Sequence, residues 1–122
     1  MARILIVDDE PPIRKTVRAV LEHDGHDVTE AEDGLVALNL CKANPMDLVI
    51  TDLFMPVMDG LELIVQLREE FPDMKIVAIS GAMYDKRPRF LEIAGRMASV
   101  ITLAKPHTVD ELRDAVQRAF DS

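Results

Sequence analysis

The chain has 122 residues, 48% of them hydrophobic, which is enough for one compact domain with a core, and we expect residues 1–122 to form a single domain. Its 14 basic and 22 acidic residues give a formal net charge of -8, which repels phosphodiester backbones, so we expect no direct nucleic-acid partner. The single cysteine, Cys41, excludes an internal disulfide, and no apolar run is long enough for a signal peptide or a membrane span, so we expect a cytoplasmic protein.

The first predicted element is a buried strand. Ile4-Leu5-Ile6-Val7 is a continuous apolar run of the kind found in parallel sheets, and it ends at the acidic pair Asp8-Asp9. A Pro-Pro pair then suits the first turn of a helix, whose apolar positions recur at helical spacing as far as Gly25. The first strand is therefore predicted to end in carboxylates.

The middle of the chain repeats this alternation of strand and helix. A short strand is predicted over 27–30, followed by a helix that ends near Asn44-Pro45. A third, buried strand over 48–51 ends at Asp52. The helix predicted after it carries four apolar positions, namely Leu61, Ile64, Val65 and Leu67.

The last third of the chain supplies two more strands and two more helices. The apolar run over 76–79 ends at Ser80, and Pro88 then opens a helix predicted as far as Ala94. A fifth strand over 100–103 ends near Lys105-Pro106. The sequence Thr108-Val109-Asp110-Glu111 has the pattern of a capping box and predicts the start of the fifth helix.

Five strands alternating with helices predict an α/β fold, in which a parallel sheet carries helices on both faces. In such open sheets, binding sites form beyond the carboxyl ends of the strands. Five side chains from distant parts of the chain are predicted to meet at that edge, namely Asp8, Asp9, Asp52, Ser80 and Lys105.

These side chains point to phosphoryl chemistry assisted by a metal ion. Three carboxylates at one edge repel one another, and an oxygen-only ligand set suits Mg²⁺ or Mn²⁺, which share their coordination sphere with phosphate oxygens. Lys105 and Ser80 could each bind an oxygen of a phosphoryl group. Asp52 is the best candidate for the nucleophile, because it stands alone on the central strand whereas Asp8 and Asp9 form a pair.

The sequence resembles the receiver domain of two-component response regulators from Ile4 to about Phe120. The segments that carry the resemblance are Ile6–Pro11, Ala31–Gly34, Asp47–Asp52, Met55–Gly60, Ile79–Gly81 and Lys105-Pro106. The resemblance implies a flavodoxin-like, doubly wound, five-stranded parallel sheet with strand order 2-1-3-4-5.

The resemblance also implies a role for each residue of the site. Asp52 would accept a phosphoryl group from a phosphohistidine on a sensor histidine kinase or a histidine phosphotransfer protein. The Mg²⁺ ligands would be Asp8, Asp9, the Asp52 carboxylate and the backbone carbonyl of Phe54. Ser80 would be the switch hydroxyl, and Lys105 would bind the phosphoryl group beside a cis peptide bond to Pro106.

In this family phosphorylation shifts a two-state equilibrium, and the face made by the fourth helix, the fifth strand and the fifth helix changes its protein partners. The present chain departs from that pattern at three positions. Thr102 replaces the usual aromatic residue, Ala98 replaces a common glycine, and His107 replaces the usual phenylalanine. We therefore expect the switch to work without rotation of an aromatic side chain at Thr102.

Three alternatives remain open at this point. A phosphatase of the haloacid dehalogenase type also uses an aspartyl nucleophile and Mg²⁺, but the position of its general acid holds Phe54, or Glu10 if Asp8 were the nucleophile. A flavodoxin-type carrier would need a phosphate loop where the acidic pair stands. A pseudo-receiver would act as an interaction module without phosphorylation. We expect a phosphoacceptor switch that is not an enzyme and acts as a stand-alone receiver through protein contacts.

Overall fold

The computed structural model describes residues 2–81 and 100–122, with Ser80 and Gly81 described by their backbone alone. Its sheet has five parallel strands in the order β2-β1-β3-β4-β5, which confirms the predicted fold class and strand order. The strands are β1 (Arg3–Val7), β2 (Asp27–Ala31), β3 (Leu48–Asp52), β4 (Lys75–Gly81) and β5 (Val100–Lys105).

Four helices are described. They are α1 (Pro11–His23), α2 (Gly34–Ala43), α3 (Gly60–Glu70) and α4 (Val109–Asp121). The last of these is the fifth predicted helix, because the predicted helix from Pro88 to Ala94 lies outside the described residues. Within the described ranges, each helix is too short or too polar to cross a lipid bilayer.

Short polar side chains determine where three of the helices begin. The carboxylate of Asp33 accepts a hydrogen bond from the Val36 N–H at the start of α2. At the start of α3, the carboxylate of Asp59 accepts one from the Glu62 N–H. At the start of α4, Thr108 and Glu111 exchange backbone and side-chain hydrogen bonds of 3.0 Å each, which confirms the predicted capping box.

The core has two parts, one on each face of the sheet. Side chains of α2 and α3 pack against one face, and those of α1 and α4 pack against the other. The buried stripe of α3 consists of Gly60, Leu63, Ile64 and Leu67, at the helical spacing i, i+3, i+4, i+7. Val65, one of the four apolar positions predicted for this helix, lies outside the stripe and is 41% exposed.

Cys41 lies on the buried face of α2, in the core of the domain. It is fully buried and makes no disulfide, and burial raises the pKa of its thiol to about 11. The thiol therefore packs as a small apolar side chain.

Candidate functional site

Asp52 is the last residue of the central strand β3 and is 8% exposed. Its Oδ1 accepts a hydrogen bond from the Phe54 N–H at 3.0 Å, and its Oδ2 lies 2.6 Å from the Lys105 Nζ. The carboxylate is therefore oriented by a donor on each oxygen, and it lies at the carboxyl edge of the sheet as predicted.

Asp8 and Asp9 follow β1 at the same edge. Asp8 is 4% exposed, and its Oδ1 accepts the Glu10 N–H at 2.9 Å, while Asp9 is exposed. Burial raises the pKa of Asp8 above its ordinary value, and the charge of Asp52 adds to this effect, whereas the Glu10 N–H and Lys105 oppose it.

Lys105 ends β5 and joins two of the acids. Its Nζ contacts Asp52 Oδ2 at 2.6 Å and Asp8 Oδ2 at 3.3 Å. Burial by itself lowers the pKa of Lys105, but the hydrogen bond to Asp52 and the two carboxylate charges outweigh burial, so its pKa is raised. The Lys105-Pro106 peptide bond is cis, as the family resemblance implied.

The three carboxylates form a donor set that fits a hard divalent cation. Asp8, Asp9 and Asp52 each place one oxygen within 4.8 Å of the others. Two of the acids share the single ammonium of Lys105, so the described site keeps an excess of negative charge. Oxygen ligands of this kind, two of them on buried residues, match the preference of Mg²⁺.

Gly60 lets α3 start close to the end of β3. A Cβ atom at Gly60 would lie 2.1 Å from the Asp52 backbone oxygen and 2.7 Å from the Leu53 Cα. The loop between these elements also holds Val57 at φ 70, in the left-handed region that β-branched residues avoid. The position of Asp52 therefore depends on a tight loop that tolerates little added volume.

Several predicted positions are described only in part or not at all. The backbone of Ser80 pairs with Ala104 in β5, but its side chain lies outside the described residues, as does Ala98. Thr102 lies in β5, three residues before Lys105, where its backbone pairs with Ala78. The part of the family's output face formed by the fourth predicted helix is likewise outside the described residues.

Two residues near Asp8 were missed by the sequence analysis. Arg14, on α1, donates a hydrogen bond from Nη1 to the backbone oxygen of Asp8 at 2.6 Å. Its Nε also contacts Glu30 Oε1 at 3.0 Å. Because this contact joins the side of α1 to the neighbouring strand β2, neither strand periodicity nor motif spacing could indicate it.

Comparison with known proteins agrees with the described geometry. A family model described as the response regulator receiver domain matches residues 4–117. Sporulation initiation phosphotransferase F of Bacillus subtilis (strain 168) is 30% identical over 116 residues, covering 95% of this chain and 91% of that protein. Sensor kinase CckA of Brucella abortus (strain 2308) is 31% identical, and its matching part covers 98% of this chain but 13% of that protein.

Other relatives are longer proteins that match over part of their length. Response regulator MprA of Mycobacterium sp. (strain KMS) is 41% identical over 79 residues, which make up 65% of this chain and 34% of that protein. The match thus spans about a third of that relative. Among solved structures, the receiver domain of NtrX from Brucella abortus superposes with a TM-score of 0.88 at 30% identity, covering 98% of each chain.

Proposed function

The chain belongs to the response regulator receiver domain family, and on that premise we propose that it is a phosphoacceptor switch in which Asp52 takes the phosphoryl group. The observation that carries the proposal is the position of Lys105, whose Nζ lies 2.6 Å from the carboxylate of Asp52. An ammonium at this distance can bind an oxygen of a phosphoryl group that arrives at Asp52.

The transfer requires a donor with a labile bond to phosphorus. A phosphohistidine of a sensor histidine kinase or a histidine phosphotransfer protein is the proposed donor, and relatives of this chain include a sensor kinase and a phosphotransferase. A carboxylate oxygen of Asp52 attacks phosphorus, the bond from phosphorus to the histidine nitrogen breaks, and its electron pair returns to the imidazole. The Phe54 N–H keeps the carboxylate oriented during the attack.

Receiver domains bind Mg²⁺ at an acidic pocket, and the described acids fit that ion. We propose Asp8, Asp9, Asp52 and the Phe54 backbone carbonyl as its ligands. When bound, Mg²⁺ offsets the repulsion between the carboxylates and the phosphoryl oxygens. Asp8 and Asp9 would hold the ion, and Lys105, at the end of the edge strand β5, supplies further positive charge.

The consequence of phosphorylation belongs to the same proposal. The Ser80 hydroxyl binds the phosphoryl group, and the face made by the fourth predicted helix, β5 and α4 changes its protein partners. Thr102 leaves no aromatic side chain to rotate at its position. We propose a single domain over residues 1–122 that acts in the cytoplasm through proteins, without direct contact with nucleic acid or membrane, and that catalyses only its own phosphorylation and dephosphorylation.

The proposal is tested with acetyl phosphate as donor and intact-mass measurement with and without Mg²⁺. We expect the parent to gain the mass of one phosphoryl group only with Mg²⁺, and Asp52→Asn to gain none. Asp47→Asn is the matched control, because Asp47 precedes the same strand at its other end, where its Oδ2 accepts the Arg3 N–H.

Three outcomes would contradict the proposal. Undiminished phosphorylation of Asp52→Asn would exclude Asp52 as the acceptor. A parent that takes no phosphoryl group under any condition would be a pseudo-receiver, and continuous release of phosphate from a phosphomonoester would instead identify a phosphatase.

A further inference from the structure

The guanidinium of Arg14 lies between the metal-binding loop and the edge strand of the sheet. Its Nη1 donates to the Asp8 backbone oxygen at 2.6 Å, and its Nε donates to Glu30 Oε1 at 3.0 Å. The side chains of Arg14 and Glu30 are 14% and 15% exposed. Both contacts are therefore largely shielded from water, where hydrogen bonds to charged groups are stronger than at the surface.

We propose that Arg14 is a positioning residue for the metal site, held by Glu30 and acting through the main chain of Asp8. This inference rests on the proposed Mg²⁺-dependent function. Arg14 contacts neither the metal-binding oxygens nor the proposed nucleophile in the described hydrogen bonds, so its effect must pass through the position of Asp8.

Besides the contact of Oδ2 with Lys105, three atoms of Asp8 make hydrogen bonds, and β2 is involved in two of these. The Asp8 N–H donates to the Ala31 oxygen at 3.1 Å, and its carbonyl is held by Arg14, whose other partner is Glu30 of the same strand. The third contact is the Glu10 N–H on Oδ1. With its backbone and one carboxylate oxygen fixed, Asp8 presents Oδ2 toward Lys105 and the other acids.

An arginine suits this position better than a lysine would. The planar guanidinium presents donors in different directions, so one side chain reaches a carbonyl and a carboxylate at the same time. Partners that orient a metal ligand typically change metal affinity by about 10- to 100-fold when they are removed. Arg14 contacts the backbone carbonyl of Asp8 and not its carboxylate, so we expect a change in Mg²⁺ affinity near the lower limit of this range.

Arg18 provides a matched control on the same helix. Its Nη1 contacts the other oxygen of Glu30 at 2.8 Å, and its Nε contacts Glu22 at 3.1 Å. No described hydrogen bond joins Arg18 to Asp8. Replacing Arg18 therefore removes one positive charge and one contact with Glu30 from α1 but leaves the contact with the Asp8 carbonyl in place.

The test measures Mg²⁺ binding by titration calorimetry in the parent, Arg14→Ala, Arg14→Lys and Arg18→Ala. We expect about a tenfold higher Kd in Arg14→Ala, an intermediate value in Arg14→Lys, and no change in Arg18→Ala. A second readout is the ¹⁵N chemical shift of the Asp9 amide without metal, since that nitrogen shares a peptide group with the Asp8 carbonyl. This chemical shift should change in Arg14→Ala and keep its parent value in Arg18→Ala.

The outcomes separate this inference from the proposed function. A parent that binds no Mg²⁺ would contradict the proposed function, whereas the Asp9 shift would still report whether Arg14 holds Asp8. Parent-like Mg²⁺ affinity in Arg14→Ala, or equal losses in Arg14→Ala and Arg18→Ala, would overturn the positioning role. If Arg14→Ala fails to fold, Arg14→Lys decides, because a single ammonium does not reproduce the separate Nε and Nη1 donors of arginine, and parent-like affinity in that variant overturns the positioning role.

Discussion

At the scale of single residues, the site depends on how one ammonium is shared. Lys105 contacts the carboxylates of Asp52 and Asp8, whereas Asp9 remains exposed at the rim. Both pKa values are raised, for different reasons: burial raises the pKa of Asp8 although Lys105 opposes it, and the two carboxylates raise the pKa of Lys105 although burial opposes them. The exposed Asp9 places a carboxylate on the solvent side of the two buried acids.

Among the described residues other than glycine, Val57 has the backbone conformation least suited to its side chain. It lies at φ 70 and its side chain is 77% exposed, so packing does little to offset the conformational cost. We expect Val57→Gly to raise the free energy of unfolding by about 0.5 kcal/mol or more, because glycine adopts this conformation freely while gaining some entropy in the unfolded chain. Urea denaturation measures the change.

Val65→Gly is the control for that prediction. Val65 is also exposed, at 41%, but it lies inside α3 with helical backbone. Glycine there should lower the free energy of unfolding by about 0.5–1 kcal/mol. Equal destabilisation by the two substitutions would show that the conformation of Val57 carries no strain.

At the scale of elements, the sequence predicted most of what the structure describes. Continuous apolar runs indicated β1, β3 and β4, because strands buried on both faces have no alternation to obscure them. The edge strands β2 and β5 are less buried and were predicted from shorter or more mixed segments. The Pro-Pro pair marked the start of α1, and the capping box at Thr108 and Glu111 is confirmed at the start of α4. The edge where the acids and Lys105 meet followed from the parallel topology alone.

What the sequence did not predict depends on distances between elements. The inward face of α3 includes Leu63 rather than Val65, because the start of the helix at Gly60 is fixed by its contact with β3. The contact of Arg14 with Asp8 and Glu30 needs the separation of α1 from β2, which is set by packing. Apolar periodicity carries no information about either separation.

The contact between α3 and β3 leads to a prediction for Gly60→Ala. A Cβ atom there would lie 2.1 Å from the Asp52 backbone oxygen, so the helix must move away from the strand. We expect a loss of about 2 kcal/mol or more in the free energy of unfolding, together with slower phosphorylation by acetyl phosphate, because the displaced atoms belong to Asp52. Denaturation and intact-mass time courses measure the two effects.

Gly25→Ala is the control for Gly60→Ala, because it separates the steric effect of an added Cβ atom from the cost of an unfavourable backbone conformation. Gly25 has φ 94, and a Cβ atom added to it would have nothing within 4 Å, so alanine there meets open space but an unfavourable backbone. We expect a loss of about 1 kcal/mol in the free energy of unfolding and an unchanged rate of phosphorylation. A Gly60→Ala variant that matched Gly25→Ala in both measurements would contradict the proposed close contact.

At the scale of the whole molecule, the site joins distant parts of the chain. Asp8, Asp52 and Lys105 end β1, β3 and β5 or follow them directly, so the acids meet only in the folded state. Folding therefore collects like charges that the unfolded chain keeps apart, in a molecule whose formal net charge is already -8. A cation that binds this arrangement must stabilise the fold.

This coupling predicts that Mg²⁺ reverses the order of stability between the parent and Asp9→Asn. Without metal, Asp9→Asn should be more stable by about 0.5 kcal/mol, because it removes one of three carboxylates within 4.8 Å of one another. With free Mg²⁺ at about 100 times the Kd, the parent should gain about 2.7 kcal/mol and the variant much less. Thermal unfolding with and without Mg²⁺ measures both values.

Glu69→Gln is the control, because it removes an equal charge from the exposed end of α3. Stabilisation of Asp9→Asn by Mg²⁺ that is as large as the stabilisation of Glu69→Gln would exclude Asp9 as a ligand.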